Sequence, residues 1–119
     1  MKVFVLSTSP FEEAGGFATY TYSLCVCLKN LGYEPYVVTL SKKTRTEQTP
    51  VGTILGVSSR LASLGSAGYP LWGKPFAKAV ASIVRRDGDR KFIVHGKGEF
   101  GYAGALLKKK FGNDVFFVV

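Results

Sequence analysis

Residues 2–40 set a strand, a glycine turn, a helix, a glycine stop and a second strand in succession, and that order restricts the fold more than any other feature. KVFVLS, residues 2–7, is an apolar run ended by the polar turn Thr8-Ser9-Pro10, the pattern of a short buried strand. Gly15 and Gly16 follow directly before an amphipathic run. Phe17, Tyr20, Leu24, Cys27, Leu28 and Leu31 recur at helical spacing, and Gly32 ends the pattern as a helix C-cap does. EPYVVTL, residues 34–40, reads as a second strand. The crossover has the length of a parallel βαβ unit, which is right-handed in nearly all known sheets.

The rest of the chain continues the alternation. SKKTRTEQTP, residues 41–50, is polar and reads as an exposed loop, and VGTILGVSS after it as a third strand weakened by its glycines. Residues 65–75 mix glycine and proline with Tyr69, Leu71 and Trp72, which predicts an irregular, aromatic-bearing loop. Phe76, Val80, Ile83 and Val84 mark a second helix closed by RRDGD. KFIVHG is a further strand, Tyr102, Ala103, Leu106 and Leu107 mark a third helix ending KKKFG, and DVFFVV is a last strand. Strands apolar on both faces, alternating with helices, predict an α/β, Rossmann-like fold: a mainly parallel sheet with helices on both faces. At 119 residues the chain suits one domain, 1–119, with a single ordinary core.

Composition narrows the partners. With 46% apolar residues the chain is globular rather than disordered, and no stretch approaches the roughly 20 apolar residues that span a bilayer. MKVFVLSTSP lacks the long apolar segment of a signal peptide and alternates like a strand, so it is expected to be mature structure. The net charge of +8 suits an anionic partner such as phosphate, nucleic acid or an acidic membrane face. The charge is spread, however: Lys42, Lys43 and Arg45 in a loop, and Arg85, Arg86 and Lys108 to Lys110 at helix C-termini, where cations are favoured on helix-dipole grounds alone. No interleaved basic-aromatic motif or helix-turn-helix accompanies it, which argues against nucleic acid. Cys25 and Cys27 lie two apart in a helix, point in different directions and have no second pair, so they make no metal site. They are expected to be reduced core residues of a cytoplasmic protein.

In a doubly wound sheet, ligands bind beyond the carboxyl ends of the strands, near the reversal of strand order. Two segments fall there. In Thr8 to Thr19, glycines at a helix start expose free N–H groups beside the positive end of the helix dipole, an arrangement that holds a phosphate without a charged side chain. The same Gly15 and Gly16 also serve a loop that merely turns, with Thr19 in the first helical turn. The other segment is HGKGEFGY, residues 95–102. His95 is the only histidine, Gly96 and Gly98 flank Lys97, and a lone histidine at a strand end is either a hydrogen-bonded structural residue or a ligand contact. Lys97 is a phosphate-binding cation or a solvated side chain. EEAGGFAT lacks GxGxxG, the second strand ends TLSKK without an acid, and GxxxxGK[ST] is missing. A nicotinamide cofactor and a nucleotide triphosphatase are therefore not expected, and no cofactor is assigned.

SPFEEAGGFATYTYSLCVCLKNLGYEPYVVTL resembles the opening of glycosyltransferase family 4 enzymes: an apolar strand, a Pro-containing loop, Gly-Gly, a helix, then Leu-Gly-His-Glu-Val and a second strand. Here that last element is Leu31, Gly32, Tyr33, Glu34, Pro35, so the histidine and valine are replaced. KFIVHGKGEFGYAGALLKKKFGNDVFFVV resembles the later family stretch Asp-Ile-Val-His-x-His, with His95 at the first histidine and Lys97 where the second is usual. Residues 42–74 match in length and position only. The resemblance implies the N-terminal half of a GT-B fold and an enzyme that transfers a hexosyl group with retention from a nucleotide-sugar donor to a sugar or lipid-linked acceptor. It implies Gly15, Gly16, Thr19, His95, Lys97 and Gly98 as phosphate- or substrate-binding residues, with no metal.

The family's nucleotide-binding C-terminal domain, with its paired glutamates, has no counterpart in these residues. The implied partner is therefore a donor-binding C-terminal domain or subunit, and little catalysis is expected without it. The basic surface suggests docking at the inner face of an anionic membrane. The alternative reading is a non-catalytic binding module with the same fold.

Overall fold

The computed structural model describes residues 1–7, 16–40, 44–57, 69–96 and 101–118, with backbone alone for 16–19, 40 and 69–72. Six strands form one sheet: β1 (Lys2–Leu6), β2 (Glu34–Leu40), β3 (Arg45–Thr49), β4 (Gly52–Val57), β5 (Phe92–His95) and β6 (Val115–Val118). Their order is β3-β4-β2-β1-β5-β6. All neighbours run parallel except β3, which pairs antiparallel with β4. Helix α1 (Gly16–Asn30) links β1 to β2, α2 (Tyr69–Asp87) precedes β5, and α3 (Gly101–Phe111) with a short 3-10 turn links β5 to β6. This is the α/β, Rossmann-like arrangement expected from the alternation.

The period-2 geometry of β1 divides the core in two. Val3 and Val5 point toward α1, where they meet Cys25, Val37 and Val51. Phe4 and Leu6 point to the opposite face, where α2 and α3 cover them with Phe76, Val80 and Leu107. Phe4 anchors that larger core: its ring lies 5.1 Å from Tyr36 and 5.8 Å from Phe92, and Phe92 in turn stands edge-on to Phe111 at 5.2 Å. Each buried aromatic of this kind contributes about 2 kcal/mol from area alone.

Helix α1 ends as its sequence predicts. Gly32 has φ +90°, and the Tyr33 and Gly32 N–H groups donate to the Leu28 and Lys29 carbonyls at 3.0 and 3.1 Å, closing a Schellman cap. Its buried line, however, is not the expected stripe of Tyr20, Leu24, Cys27, Leu28 and Leu31; the side chain of Phe17, also expected there, lies outside those described. Thr21 and Cys25 are fully buried, whereas Tyr20, Cys27 and Leu31 are exposed and Leu24 and Leu28 only half-buried. The aromatic and aliphatic positions outnumber what one helix can turn inward, and small residues fit where the helix lies closest to the sheet. Cys27 is thus not a core residue, while burial pushes the Cys25 thiol up to about 11, which keeps it protonated.

Two expectations for the middle of the chain are corrected. RTEQT is not a loop but the edge strand β3, joined to β4 by the two-residue turn Pro50-Val51. The Thr49 hydroxyl holds that turn, donating to the Gly52 carbonyl at 2.7 Å and accepting from the Val51 and Gly52 N–H groups. A polar strand survives at an edge because one face stays in water. Tyr69–Pro75 is not irregular loop but the first part of α2, with Pro70 near its start and Pro75 inside it. An interior proline costs about 3 kcal/mol, and the burial of Phe76, Val80 and Val84 along the same helix offsets it. Residues 65–68 lie outside those described.

At the amino edge of the sheet, Lys2 is 7% exposed and its ammonium lies 2.8 Å from Asp89, 3.1 Å from Asp87 and 3.8 Å from Glu34. Burial alone lowers the Lys2 pKa, but the hydrogen bonds to Asp89 and Asp87 and the Glu34 charge outweigh it and raise it. Among the described residues no helix is long and apolar enough to cross a membrane.

Candidate functional site

Strand order reverses between β1 and β5, so the cleft that doubly wound folds use lies beyond the carboxyl ends of these two strands. Two features converge there. From β1, the chain leaves at Ser7, whose N–H donates to the Val38 carbonyl at 2.9 Å, and returns at Gly16, the first residue of α1. From β5, His95 closes the strand opposite Val5 and Val118, and the Gly96 N–H donates to the Val118 carbonyl at 3.0 Å. The free N–H groups of the first turn of α1 and the ring of His95 thus belong to one end of one sheet.

The contact between them is direct. Tyr20, one turn into α1, places its hydroxyl 3.5 Å from His95 Nε2, the long limit of a hydrogen bond. His95 is half-buried, and burial lowers its pKa from the ordinary histidine value, which favours the neutral ring. A neutral imidazole both donates and accepts, which suits a sugar or alcohol hydroxyl. Helix N–H groups, by contrast, suit an oxyanion. On the same sheet face, the Thr39 hydroxyl near the end of β2 is buried with no hydrogen-bond partner among the described residues.

The expected site residues fall as follows. Gly16 heads α1 and Thr19 lies in its first turn, where the backbone but not the Thr19 side chain is described. His95 stands at the end of β5. Gly15, Lys97 and Gly98 lie outside the described residues. The structure therefore brings the Gly16 helix start and His95 together through a residue that the periodicity assigned to the core, Tyr20. A pair of tyrosines two apart, Tyr20 and Tyr22, was the available signal, since one helix cannot bury both. Among the described residues no group of histidine, cysteine or carboxylates could hold a metal.

No protein-family model matches the chain, and no curated protein sequence matches it significantly. Solved structures do. The sucrose-phosphate synthase of Thermosynechococcus elongatus superposes with a TM-score of 0.74 over 98% of this chain at 15% identity. The E. coli trehalose-6-phosphate synthase bound with UDP-2-fluoro glucose superposes with a TM-score of 0.66, again over 98%, at 14% identity. The chain spans 32% of the length of each. Both are GT-B glycosyltransferases, and at this identity the likeness is one of fold: this chain has the architecture of a Rossmann-like unit of a GT-B protein.

Proposed function

We propose that the chain is the N-terminal, acceptor-side half of a retaining glycosyltransferase that draws on a nucleotide-sugar donor. The observation that carries the reading is the meeting of the first turns of α1 with His95 at the strand-order reversal, in a chain of which 98% superposes on GT-B enzymes. In this reading the N–H groups of the turn headed by Gly15 and Gly16 stabilise the departing diphosphate, where negative charge grows as the glycosidic bond breaks. Neutral His95, steadied by Tyr20, hydrogen-bonds a hydroxyl of the sugar or of a sugar or lipid-linked acceptor. A separate donor-binding domain or subunit completes the cleft, so the 119 residues alone bind without turning over.

The test is the amide spectrum of the domain titrated with UDP, GDP and a UDP-sugar. The expected result is a set of shifts confined to Gly16, Tyr20 and the residues around His95. An unchanged spectrum at millimolar ligand overturns a diphosphate site on this half. The second reading, a non-catalytic binding module, is favoured by Lys97, which stands where the resemblance expects a second histidine. It predicts that the same amides respond to a small molecule lacking a diphosphate while UDP leaves them still.

A further inference from the structure

Away from the strand ends, α2 and α3 enclose an open groove of about 690 Å³. The two helices pack tightly at Gly73, where a Cβ would sit 2.7 Å from the Ala103 nitrogen. Farther along, Ala77, Ala81, Leu106 and Leu107 form an apolar floor. The rim is cationic on both sides, with Lys74, Lys78 and Arg85 on α2 and Lys110 on α3, all exposed. Among the described residues no carboxylate lines the groove. Of the described carboxylates, Glu34, Asp87 and Asp89 surround Lys2 at the amino edge of the sheet, Glu47 is held by Arg45, and Asp114 lies in the 3-10 turn after α3, outside the groove lining. Dipole pairing accounts for Arg85 and Lys110 in last helical turns, but not for Lys74 and Lys78 farther up α2.

We propose that this groove docks an acidic amphipathic helix of a partner protein, a role independent of the sugar-transfer reading. Charge complementarity sets the sign of the partner: four cations without a counter-charge favour carboxylates. Shape sets its form. Ala77 and Ala81, one turn apart, leave room for a third helix to settle between α2 and α3, and Lys74 to Arg85 span about 16 Å of axis, three turns of an incoming helix. A flat bilayer surface would touch the rim cations but could not enter the groove between the two helices. A nucleic acid would find no aromatic ring among the lining residues to stack on.

The test uses the full chain and two synthetic peptides of roughly three to four turns. One carries alanine and leucine on one helical face with glutamates on both flanks; the other is its scramble. The amphipathic peptide is expected to shift Ala77, Ala81 and Leu106 amides and to bind at least about tenfold tighter than the scramble. Lys74→Glu with Lys78→Glu should weaken it by about tenfold or more, whereas Arg90→Glu with Lys91→Glu, the same change in net charge elsewhere on the surface, should not. Equal binding of peptide and scramble, equal losses from the two double variants, or no binding overturns the proposal. So does occupation of those amides by phosphatidylserine vesicles or by single-stranded RNA where the peptide leaves them unmoved.

Discussion

His95 owes its lowered pKa to burial alone, and that fixes the sign of its pH effect. The folded state holds the proton less tightly than the unfolded chain does. No penalty therefore exists above the ordinary value of 6.5, and stability falls as the pH drops below it. A histidine ring titration is expected to give a midpoint below 6.5, and Tyr20→Phe to leave it low. A midpoint at or above 6.5 would contradict the burial of the ring.

Asp87 also loses stability toward acid, but through the loss of a favourable pairing rather than the charging of a buried ring. Hydrogen bonds from Arg86 and then Lys2 hold the Asp87 carboxyl at about 2, so its contribution is present above its ordinary 3.8 and is lost as the pH falls toward 2. Lys2→Met should cost about 2 kcal/mol, less than a fully buried pair, because its carboxylate partners remain part-exposed. Urea melts at pH 7 and pH 3 check this, and the penalty should shrink at the lower pH. His95 and Gly32 were readable as special residues from the sequence, one as the only histidine and one as a helix stop. Lys2 was not, because a lysine beginning a strand looks solvated until β2 and the α2–β5 turn bring three carboxylates to it.

Two elements show how packing decided what propensity did not. The hairpin β3–β4 rests on Thr49, whose hydroxyl makes three contacts within the Pro50-Val51 turn. Thr49→Val keeps the shape and removes those bonds, and should cost about 1 kcal/mol in a denaturant melt. The sequence carried the signal, since Thr-Pro-Val-Gly places proline and glycine where a type I turn favours them, but polarity hid the strand. At the other end of the sheet, α3 approaches β6 through Gly104, where a Cβ would sit 2.5 Å from the Phe117 ring. Gly104→Val should overpack this contact and cost about 2 kcal/mol, measured by thermal unfolding. A neutral outcome would mean that Phe117 swings aside freely. Helix α2 escaped prediction over Tyr69–Pro75 because glycine and proline dominate local preference, while Gly73 is there to admit α3.

For the molecule as a whole, the proposed diphosphate cradle depends on backbone approach at the head of α1. In the complete enzyme, Gly16→Val is expected to abolish donor turnover while the melting curve of the domain stays within a degree or so of the parent. Full activity in that variant would sink the cradle.

The sequence by itself determined the α/β class, the parallel β1–α1–β2 unit and the segments that follow the carboxyl ends of β1 and β5. These follow from local periodicity and from glycines whose roles are local. The tertiary structure alone decided the antiparallel edge β3, the true extent of α2, the Lys2 ion cluster, the Tyr20–His95 contact and the cationic groove. Each of these joins residues separated by a turn, a helix or most of the chain, and such pairings are settled by which surfaces pack together, a quantity that no window of neighbouring residues contains.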